Sequence, residues 1–312
     1  MAFALHDPVA GYYARRISTV GRGGDFTTTA EISPALAKAV AAWLVRELRT
    51  SGCRDVIELG PGSGALAAAV RSEMPWYWRW RTRIHLVETS ATLRAVQAKH
   101  RELAHARWHE TVESALDACQ GSACLYSNEF FDAFPVRLFQ NTASRWQELH
   151  LRRAGESWQE VMRDPDELPD SSVWQRIWPE GQRVEVHGAV REWWQNMARH
   201  WRDGSMLTID YGAPLEKLYH RQPAGSLRAY LLQQRLSGEA VYRNVGRQDI
   251  TADVNFTDMI RWTEAFAESR ALQSQREFLL PFASNSHPGD ACAVNPFGAG
   301  DAFCVWDCRV KK

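Results

Sequence analysis

The sequence predicts a doubly wound α/β fold built on a mostly parallel sheet. Two observations lead to this prediction. Short apolar segments alternate with helical segments along the first part of the chain, and the first apolar segment, 54–59, ends in a glycine-rich turn. Alternating strands and helices are typical of a parallel sheet with helices on both faces. Ligands bind outside the carboxyl ends of such strands, so functional residues are expected there.

The individual elements follow from capping residues and apolar runs. A helix is predicted to begin after Ser33, because Pro34 lies in its first turn and Gly52 follows its end. Further helices are predicted up to residue 74 and near residues 91–101, 190–201 and 256–269. Strands are predicted at residues 54–59, 83–87, 107–109, 123–127, 205–209, 272–280 and 303–310, and loops at residues 1–30 and 281–300.

We expect one domain over residues 1–312, with additions to the basic fold. Alternating residues at 145–152 and 157–162 predict an antiparallel hairpin, which lies in an insertion over residues 141–165. Residues 213–255 are irregular and polar, and they are too long for an ordinary connection. We therefore predict a small accessory subdomain on the substrate side there.

Composition and charge argue against several classes of function. Lys plus Arg and Asp plus Glu each total 37, so no overall field attracts nucleic acid or an anionic membrane, and we expect neither as a partner. No apolar run approaches the roughly eighteen residues of a membrane span. The six cysteines include no Cys-x-x-Cys pair, which indicates reduced thiols and no metal site. The first residues lack a signal-peptide pattern, so we expect a cytoplasmic location.

Fourteen tryptophans are many for a chain of 312 residues. Trp76, Trp78 and Trp80 stand at every second position, and Trp193 adjoins Trp194. We interpret these side chains as packing residues on a broad surface or under a lid. The alternative, a stacking platform for bases, calls for basic runs interleaved with the aromatic residues.

The glycine-rich turn after the first strand is the strongest local signal. Gly60, Gly62 and Gly64 form a G-x-G-x-G pattern, which lacks the spacing of a dinucleotide fingerprint. Glu58 precedes the turn and would repel a pyrophosphate, whereas it suits a ligand with a cationic amino-acid end. S-adenosylmethionine has such an ammonium group and no phosphate, so we predict this cofactor. A glycine turn without a ligand is the alternative.

Glu88 ends the second strand, where a carboxylate can accept hydrogen bonds from both ribose hydroxyls of an adenosine cofactor. The adenine is then expected beside Trp108, His109 and Glu110, after the third strand. An ordinary loop is the alternative for these three residues.

Polar residues also follow the fourth strand. Asn128 and Glu129 would lie nearest the transferred methyl group and could hold a nitrogen nucleophile, with Asp132 close by in the sequence. Asn128 and Asp132 could instead cap the next turn. Asp210 ends a later strand on the same side of the sheet, and its role is equally open.

These motifs resemble one family closely, the MidA-type methyltransferases, which include the mitochondrial complex I assembly-factor methyltransferase. The blocks that carry the resemblance are His6-Asp7-Pro8, Gly11-Tyr12-Tyr13, GDFTT at 24–28, Glu31-Ile32-Ser33, ELGPGSG at 58–64, LVETS at 86–90 with Leu93, Arg94 and Gln97, NEFFDAFPV at 128–136, IDYG at 209–212, GSLR at 225–228 and the run at 248–258.

The resemblance implies a class I, Rossmann-like methyltransferase whose mitochondrial member forms symmetric dimethylarginine on a protein. It implies that the glycines and Glu88 bind the cofactor together with Asn128, and that Asn128 and Glu129 face the acceptor. It also implies that residues 1–32 cover the cofactor, with Asp25 and Thr28 among its contacts.

Departures from the family pattern at Ala30, Leu36 and Gly188 leave the acceptor open. A protein arginine is the first expectation, since a guanidinium needs carboxylates such as Glu129, with Asp132, Glu185 or Asp210 as a second one. The alternatives are a small-molecule O- or N-methyltransferase and a non-catalytic scaffold protein that keeps the fold.

Overall fold

A computed structural model describes residues 1–7, 10–15, 33–142, 145–155, 157–232, 234–284 and 286–311. They form two compact units. Unit 1 contains the described part of residues 1–16 together with Phe131–Trp193 and Tyr211–Trp262. Unit 2 contains the described part of residues 17–130 together with Trp194–Asp210 and residues 263–312.

Unit 2 is organised around a seven-stranded sheet. Numbered along the whole chain, its strands are β1 (Asp55–Leu59), β2 (Arg83–Val87), β3 (Arg107–His109), β4 (Cys124–Asn128), β9 (Ser205–Ala213, whose last residues begin a stretch of unit 1), β14 (Ala267–Ser274) and β15 (Phe303–Val310). Their spatial order is β14-β15-β9-β4-β1-β2-β3.

The sheet is mostly parallel, as predicted. β1 pairs in parallel with β2 and β4, β2 with β3, and β4 with β9, whereas β14 runs antiparallel to β15. All five residues of β1 are buried, as is typical of a central strand with both faces covered. The order reverses at β1, so the carboxyl ends of β1, β2 and β4 lie side by side at the place where such sheets bind ligands.

The helices of unit 2 connect and flank these strands. They are Pro34–Ser51, Ala65–Glu73, Trp76–Arg81, Ala91–Gln97, Val112–Ala118, Gln275–Leu279, Pro288–Ala293 and Ala299–Ala302, with a 3-10 helix at Arg101–Leu103. The helix Pro34–Ser51 buries the predicted apolar stripe, including Leu36, Val40 and Leu44, and ends at Gly52 in the left-handed conformation. The helix Gly188–Ala198 contains residues of both units.

Unit 1 contains two antiparallel sheets. The first has the order β7-β6-β5-β8, with β5 (Arg137–Thr142), β6 (Arg145–Ala154), β7 (Ser157–Arg163) and β8 (Arg183–Val186). The predicted hairpin is therefore present as β6 and β7, and two strands that the sequence did not reveal extend it. The second has the order β11-β10-β12, with β10 (Arg228–Leu231), β11 (Gln234–Leu236) and β12 (Asp249–Thr251).

The remaining elements of unit 1 are short. β13 (Val254–Asn255) pairs in parallel with the end of β9. The helices are Ala2–His6, Tyr12–Arg15, Leu215–Leu218 and Phe256–Thr263, with 3-10 helices at Ser172–Gln175 and Gly238–Tyr242. Residues 213–255 thus hold a small sheet and short helices.

Several predicted boundaries are wrong. The helix predicted to reach residue 269 ends at Thr263, and β14 occupies Ala267–Ser274. The strand predicted to continue to residue 280 gives way to the helix Gln275–Leu279, because Ser274 and Glu277 form a reciprocal capping box. Short helices also occur where loops were predicted, at the amino terminus and within residues 281–300.

The tryptophans divide into two groups. Trp194 is buried, and its ring contacts Phe266 and Trp306. Trp76 and Trp80, which were predicted to pack, are instead 73% and 80% exposed.

All six cysteines are free thiols. In the described part of the chain, no helix has the length and apolar character needed to cross a bilayer.

Candidate active site

The glycine-rich turn leaves β1 at the carboxyl edge of the sheet. Gly60 and Gly62 have φ values of 59° and 53°, in the left-handed region that glycine adopts without strain. A β-carbon added at Gly60 would lie 2.8 Å from the Phe130 ring, whereas no described atom lies within 4 Å of one added at Gly62. The turn is therefore packed on one side and has open space at Gly62.

Glu58 lies just before this turn and is buried within the sheet, 2% exposed. Its Oε2 accepts a hydrogen bond of 2.8 Å from the Tyr126 hydroxyl on β4. Burial raises the pKa of the Glu58 carboxyl to about 8, although the hydrogen bond from Tyr126 opposes that rise. The group is consequently neutral near pH 7 unless a cation approaches it.

Glu88 follows β2 and is also buried. Its Oε1 accepts a hydrogen bond of 2.8 Å from the Ser90 amide, and its Oε2 accepts one of 3.3 Å from the Gln97 side chain. Burial raises the pKa of Glu88, and these hydrogen bonds oppose that rise. The Arg94 guanidinium donates to the backbone carbonyl of Glu88, which fixes the end of the strand.

Gln97 connects the ends of three strands. Its Nε2 donates to the Gly62 carbonyl at 2.8 Å as well as to Glu88, and its Oε1 accepts from Trp108 Nε1 at 2.8 Å. It therefore ties the glycine turn to Glu88 and to β3. From the sequence, Gln97 was identified only as one of the residues that carry the family resemblance, and its connecting role was not predicted. The available signal was a polar residue one helical turn after Leu93, on the buried face of its helix, where it requires partners.

His109, at the end of β3, is partly buried and joins a chain of polar groups. His109 Nε2 lies 2.9 Å from His85 Nδ1, and His85 Nε2 lies 3.0 Å from Asp55 Oδ1. Asp55 also accepts two hydrogen bonds from Arg83. Asp55, His85 and Cys119 are close enough to share a metal ion, but the hydrogen bonds from Arg83 and His85 already account for the position of Asp55.

Asn128 and Glu129 lie at the carboxyl end of β4. Asn128 Nδ2 donates to Glu129 Oε1 at 3.1 Å, while no described residue donates a hydrogen bond to the buried Asn128 Oδ1. Glu129 has a φ of 53°, an uncommon conformation for a residue with a side chain. Its amide donates to the Ile209 carbonyl at 2.9 Å, which fixes this conformation against β9.

Asp210 lies on β9 beside this segment and is fully buried. Its Oδ2 accepts a hydrogen bond of 3.0 Å from the Phe130 amide. The Phe130 ring in turn contacts the turn at Gly60. Glu129, Asp210 and the glycine turn are therefore brought together at one edge of the sheet.

The remaining described candidates belong to unit 1. Asp132 belongs to unit 1, where it is buried and its backbone carbonyl accepts from the Ala252 amide. Glu185, also in unit 1, accepts hydrogen bonds from Ser226 and Leu227 and so holds the turn at 225–227. Its carboxylate is occupied by the chain itself and is not available to a substrate guanidinium. Asp25 and Thr28 lie outside the described residues.

The described residues fit S-adenosylmethionine. The space at Gly62 can take a ligand close to the backbone, and Glu58 offers a buried carboxyl to a cationic group. Glu88 stands at the next strand end, and Asn128 Oδ1 is a buried acceptor without a described donor. Carboxyl and amide acceptors of this kind suit a ligand with an ammonium group and a ribose.

Comparison with known proteins agrees with this fit. Residues 39–274 match the family described as "Putative S-adenosyl-L-methionine-dependent methyltransferase". A Burkholderia thailandensis protein described as a "likely methyl transferase", solved with S-adenosyl-homocysteine bound, is 25% identical; the match covers 99% of this chain and 86% of that one, with a TM-score of 0.84.

Two relatives carry more specific names. The Drosophila melanogaster mitochondrial protein arginine methyltransferase NDUFAF7 homolog is 31% identical over 82% of this chain, and the mouse mitochondrial protein arginine methyltransferase NDUFAF7 is 28% identical over 89%. The matches span 63% and 68% of those proteins' own lengths. The chain thus belongs to the family of S-adenosylmethionine-dependent methyltransferases that its resemblance to the MidA-type group indicated.

Proposed function

We propose that this protein transfers methyl groups from S-adenosylmethionine to arginine side chains of a protein substrate. The observation that carries the proposal is the conformation of Glu129, which is held at positive φ beside Asp210 at the cofactor edge of the sheet. Uncommon backbone conformations that the surroundings maintain are concentrated at functional sites. The names of the Drosophila and mouse relatives support the same acceptor.

Each part of the cofactor has its own proposed contacts in this chain. Glu58 would face the ammonium group, and the backbone of Gly60, Gly62 and Gly64 would approach the methionine part. Glu88 would accept hydrogen bonds from the ribose hydroxyls. His109 would lie beside the adenine and Asn128 near the methyl group, with Asp25 and Thr28 as further contacts that the resemblance implies.

The bound cofactor supplies an electrophilic methyl group. The chain's own task is to bring a guanidinium to it, and a guanidinium keeps its charge because its pKa is above about 12. Asp210 is fully buried whereas Glu129 is only partly buried, so Glu129 is the carboxylate that we propose for the acceptor. It would orient the guanidinium by charge-assisted hydrogen bonds and favour loss of its proton as the new bond forms. Asp132 remains a candidate without a defined role.

The experiment is to incubate the protein with methyl-labelled cofactor and a cell lysate, then identify methylated residues by mass spectrometry. We expect label in protein, as ω-N-methylated arginine, and little label with Glu129→Gln. Glu73→Gln, an exposed carboxylate at a helix end, is the matched control. Label only in a metabolite would replace the proposal with a small-molecule methyltransferase. Cofactor binding without any transfer would indicate a scaffold protein.

We also propose a cytoplasmic location, for which the sequence is the only support. The relatives' names place those proteins in mitochondria. Fractionation of cells that express the chain, followed by immunodetection, tests the location directly.

A further inference from the structure

The short helix Trp76–Arg81 presents an unusual surface. Trp76, Tyr77 and Trp80 are 73%, 42% and 80% exposed, although each is a large aromatic side chain. Trp76 and Trp80 are four residues apart and therefore project from the same side of the helix. We call this segment the aromatic-basic helix. Large exposed aromatic clusters on a folded protein mark interaction surfaces.

The aromatic-basic helix is fixed to unit 2. Met74, just before it, is buried, and Trp78 is partly buried on its inner side. Thr82, just after it, donates from both its amide and its hydroxyl to the Trp78 carbonyl, at 3.0 and 2.7 Å. The exposed tryptophans are thus held in place by the fold.

The helix itself is positively charged. No Asp or Glu occurs between Met74 and Val87, whereas Arg79 and Arg81 alternate with the aromatic residues. Burial and the charge of Arg79 lower the pKa of Arg71, which indicates that these two cations are close enough to repel each other. The chain as a whole is neutral, so the positive charge here is a local feature.

The arrangement of the rings favours one kind of partner. Trp76 and Tyr77 meet edge to face at 86°, and Arg81 covers the Tyr77 ring at 5.4 Å, so the rings do not form a parallel platform for stacked bases. Side chains that are more than 70% exposed protrude and form no pocket for a partner's side chain. Protruding tryptophans beside arginines are the composition of an interfacial membrane contact.

The position leaves the cofactor edge accessible within unit 2. The helix leads into the first residue of β2, whereas Glu88 follows the last residue of that strand. Five strand residues separate these ends by about 16 Å. A flat surface bound at the helix would therefore contact the end of the strand that is remote from Glu88.

We propose that the aromatic-basic helix binds the surface of an anionic lipid bilayer. Trp76, Tyr77 and Trp80 enter the headgroup region, and Arg79 and Arg81 contact lipid phosphates. This binding is separate from methyl transfer, and it replaces the expectation, based on net charge, that the protein has no membrane partner.

The test is sedimentation of the full chain with phosphatidylcholine vesicles and with vesicles that also contain phosphatidylglycerol. We expect binding to the anionic vesicles that weakens as salt is added. Trp76→Ala combined with Trp80→Ala should weaken binding by about tenfold or more, since each tryptophan loses its apolar contact. Arg79→Gln with Arg81→Gln should remove the preference for phosphatidylglycerol and the salt dependence.

The matched control replaces two exposed aromatic residues elsewhere, Trp158→Ala with Phe297→Ala, and should bind as the wild type does. Equal thermal melting of all variants checks that the fold is intact. Absence of binding to anionic vesicles overturns the proposal. It is also overturned if the tryptophan variants bind vesicles as the wild type does and differ from it only in losing self-association, measured by ultracentrifugation. Binding of the helix to single-stranded nucleic acid and not to vesicles overturns it as well.

Discussion

Glu58→Gln should make the stability of the protein less sensitive to pH. The glutamine keeps the shape of the side chain and an acceptor oxygen for the Tyr126 hydroxyl, but it cannot ionise. In the wild type, burial holds the Glu58 pKa at about 8, against 4.5 for an ordinary glutamate. The substitution therefore removes one buried group whose ionisation opposes folding.

The sign and size follow from proton linkage. The Glu58 carboxyl releases its proton near pH 4.5 in the unfolded chain and near pH 8 in the folded protein. The contribution of this group to the stability of the wild type is therefore fully present below pH 4.5 and is lost as the pH rises to about 8. At about 1.4 kcal/mol per pH unit, the loss reaches about 3 kcal/mol at pH 7. Relative to the wild type, the variant should gain that free energy of unfolding between pH 4.5 and 7.

Urea unfolding of both proteins across this pH range measures the difference directly. Glu73→Gln, at an exposed site, is the control and should run parallel to the wild type. A difference between Glu58→Gln and the wild type that stays constant from pH 4.5 to 8 would show that Glu58 is already ionised in the folded protein, and the reasoning from burial would fail.

Other substitutions test the site by calorimetry and turnover. Gly62→Val should abolish cofactor binding, because the branched side chain fills the open space and cannot adopt a φ of 53° without strain; binding like that of the wild type would remove the turn from the site. Glu88→Ala should weaken cofactor binding by about 1.5–3 kcal/mol, the range for hydrogen bonds to a charged group, and an unchanged dissociation constant would place the ribose elsewhere. Glu129→Gln should lower turnover by about a hundredfold while cofactor affinity changes little, and an unchanged rate would exclude Glu129 from the mechanism.

The central sheet could be predicted closely because its signal is local. β2, β3 and β15 have the predicted bounds, and β2 and β15 are rich in apolar residues. β8 was missed because its partner β5 lies about 45 positions earlier in the chain, and β5 was missed although it also pairs with the adjacent β6. The change from helix to strand after Thr263 depends on pairing with β15, which no local pattern reveals.

The candidate site was predictable for a related reason. Glu88 and Glu129 each follow a strand of one parallel sheet, and Glu58 and Asp210 lie in the carboxyl-terminal halves of two others. Their positions in the sequence therefore place them towards one edge. Burial was not predictable in the same way. The exposure of Trp80 and the engagement of Glu185 by its own chain depend on neighbours that are distant in sequence.

The proposed reaction brings two cations together, and this explains the use of acidic residues at the site. The sulfonium of the cofactor and the guanidinium of the acceptor repel each other, and two unit charges about 4 Å apart interact by about 4 kcal/mol at an effective dielectric constant near 20. Glu129 and Asp210 place two carboxyl groups at the edge where the sulfonium and the guanidinium would meet. Because a neutral hydroxyl acceptor creates no such repulsion, the charge of Glu129 matters most if the acceptor is arginine. The effect of Glu129→Gln on turnover therefore reports on the chemical class of the acceptor as well as on the position of the site.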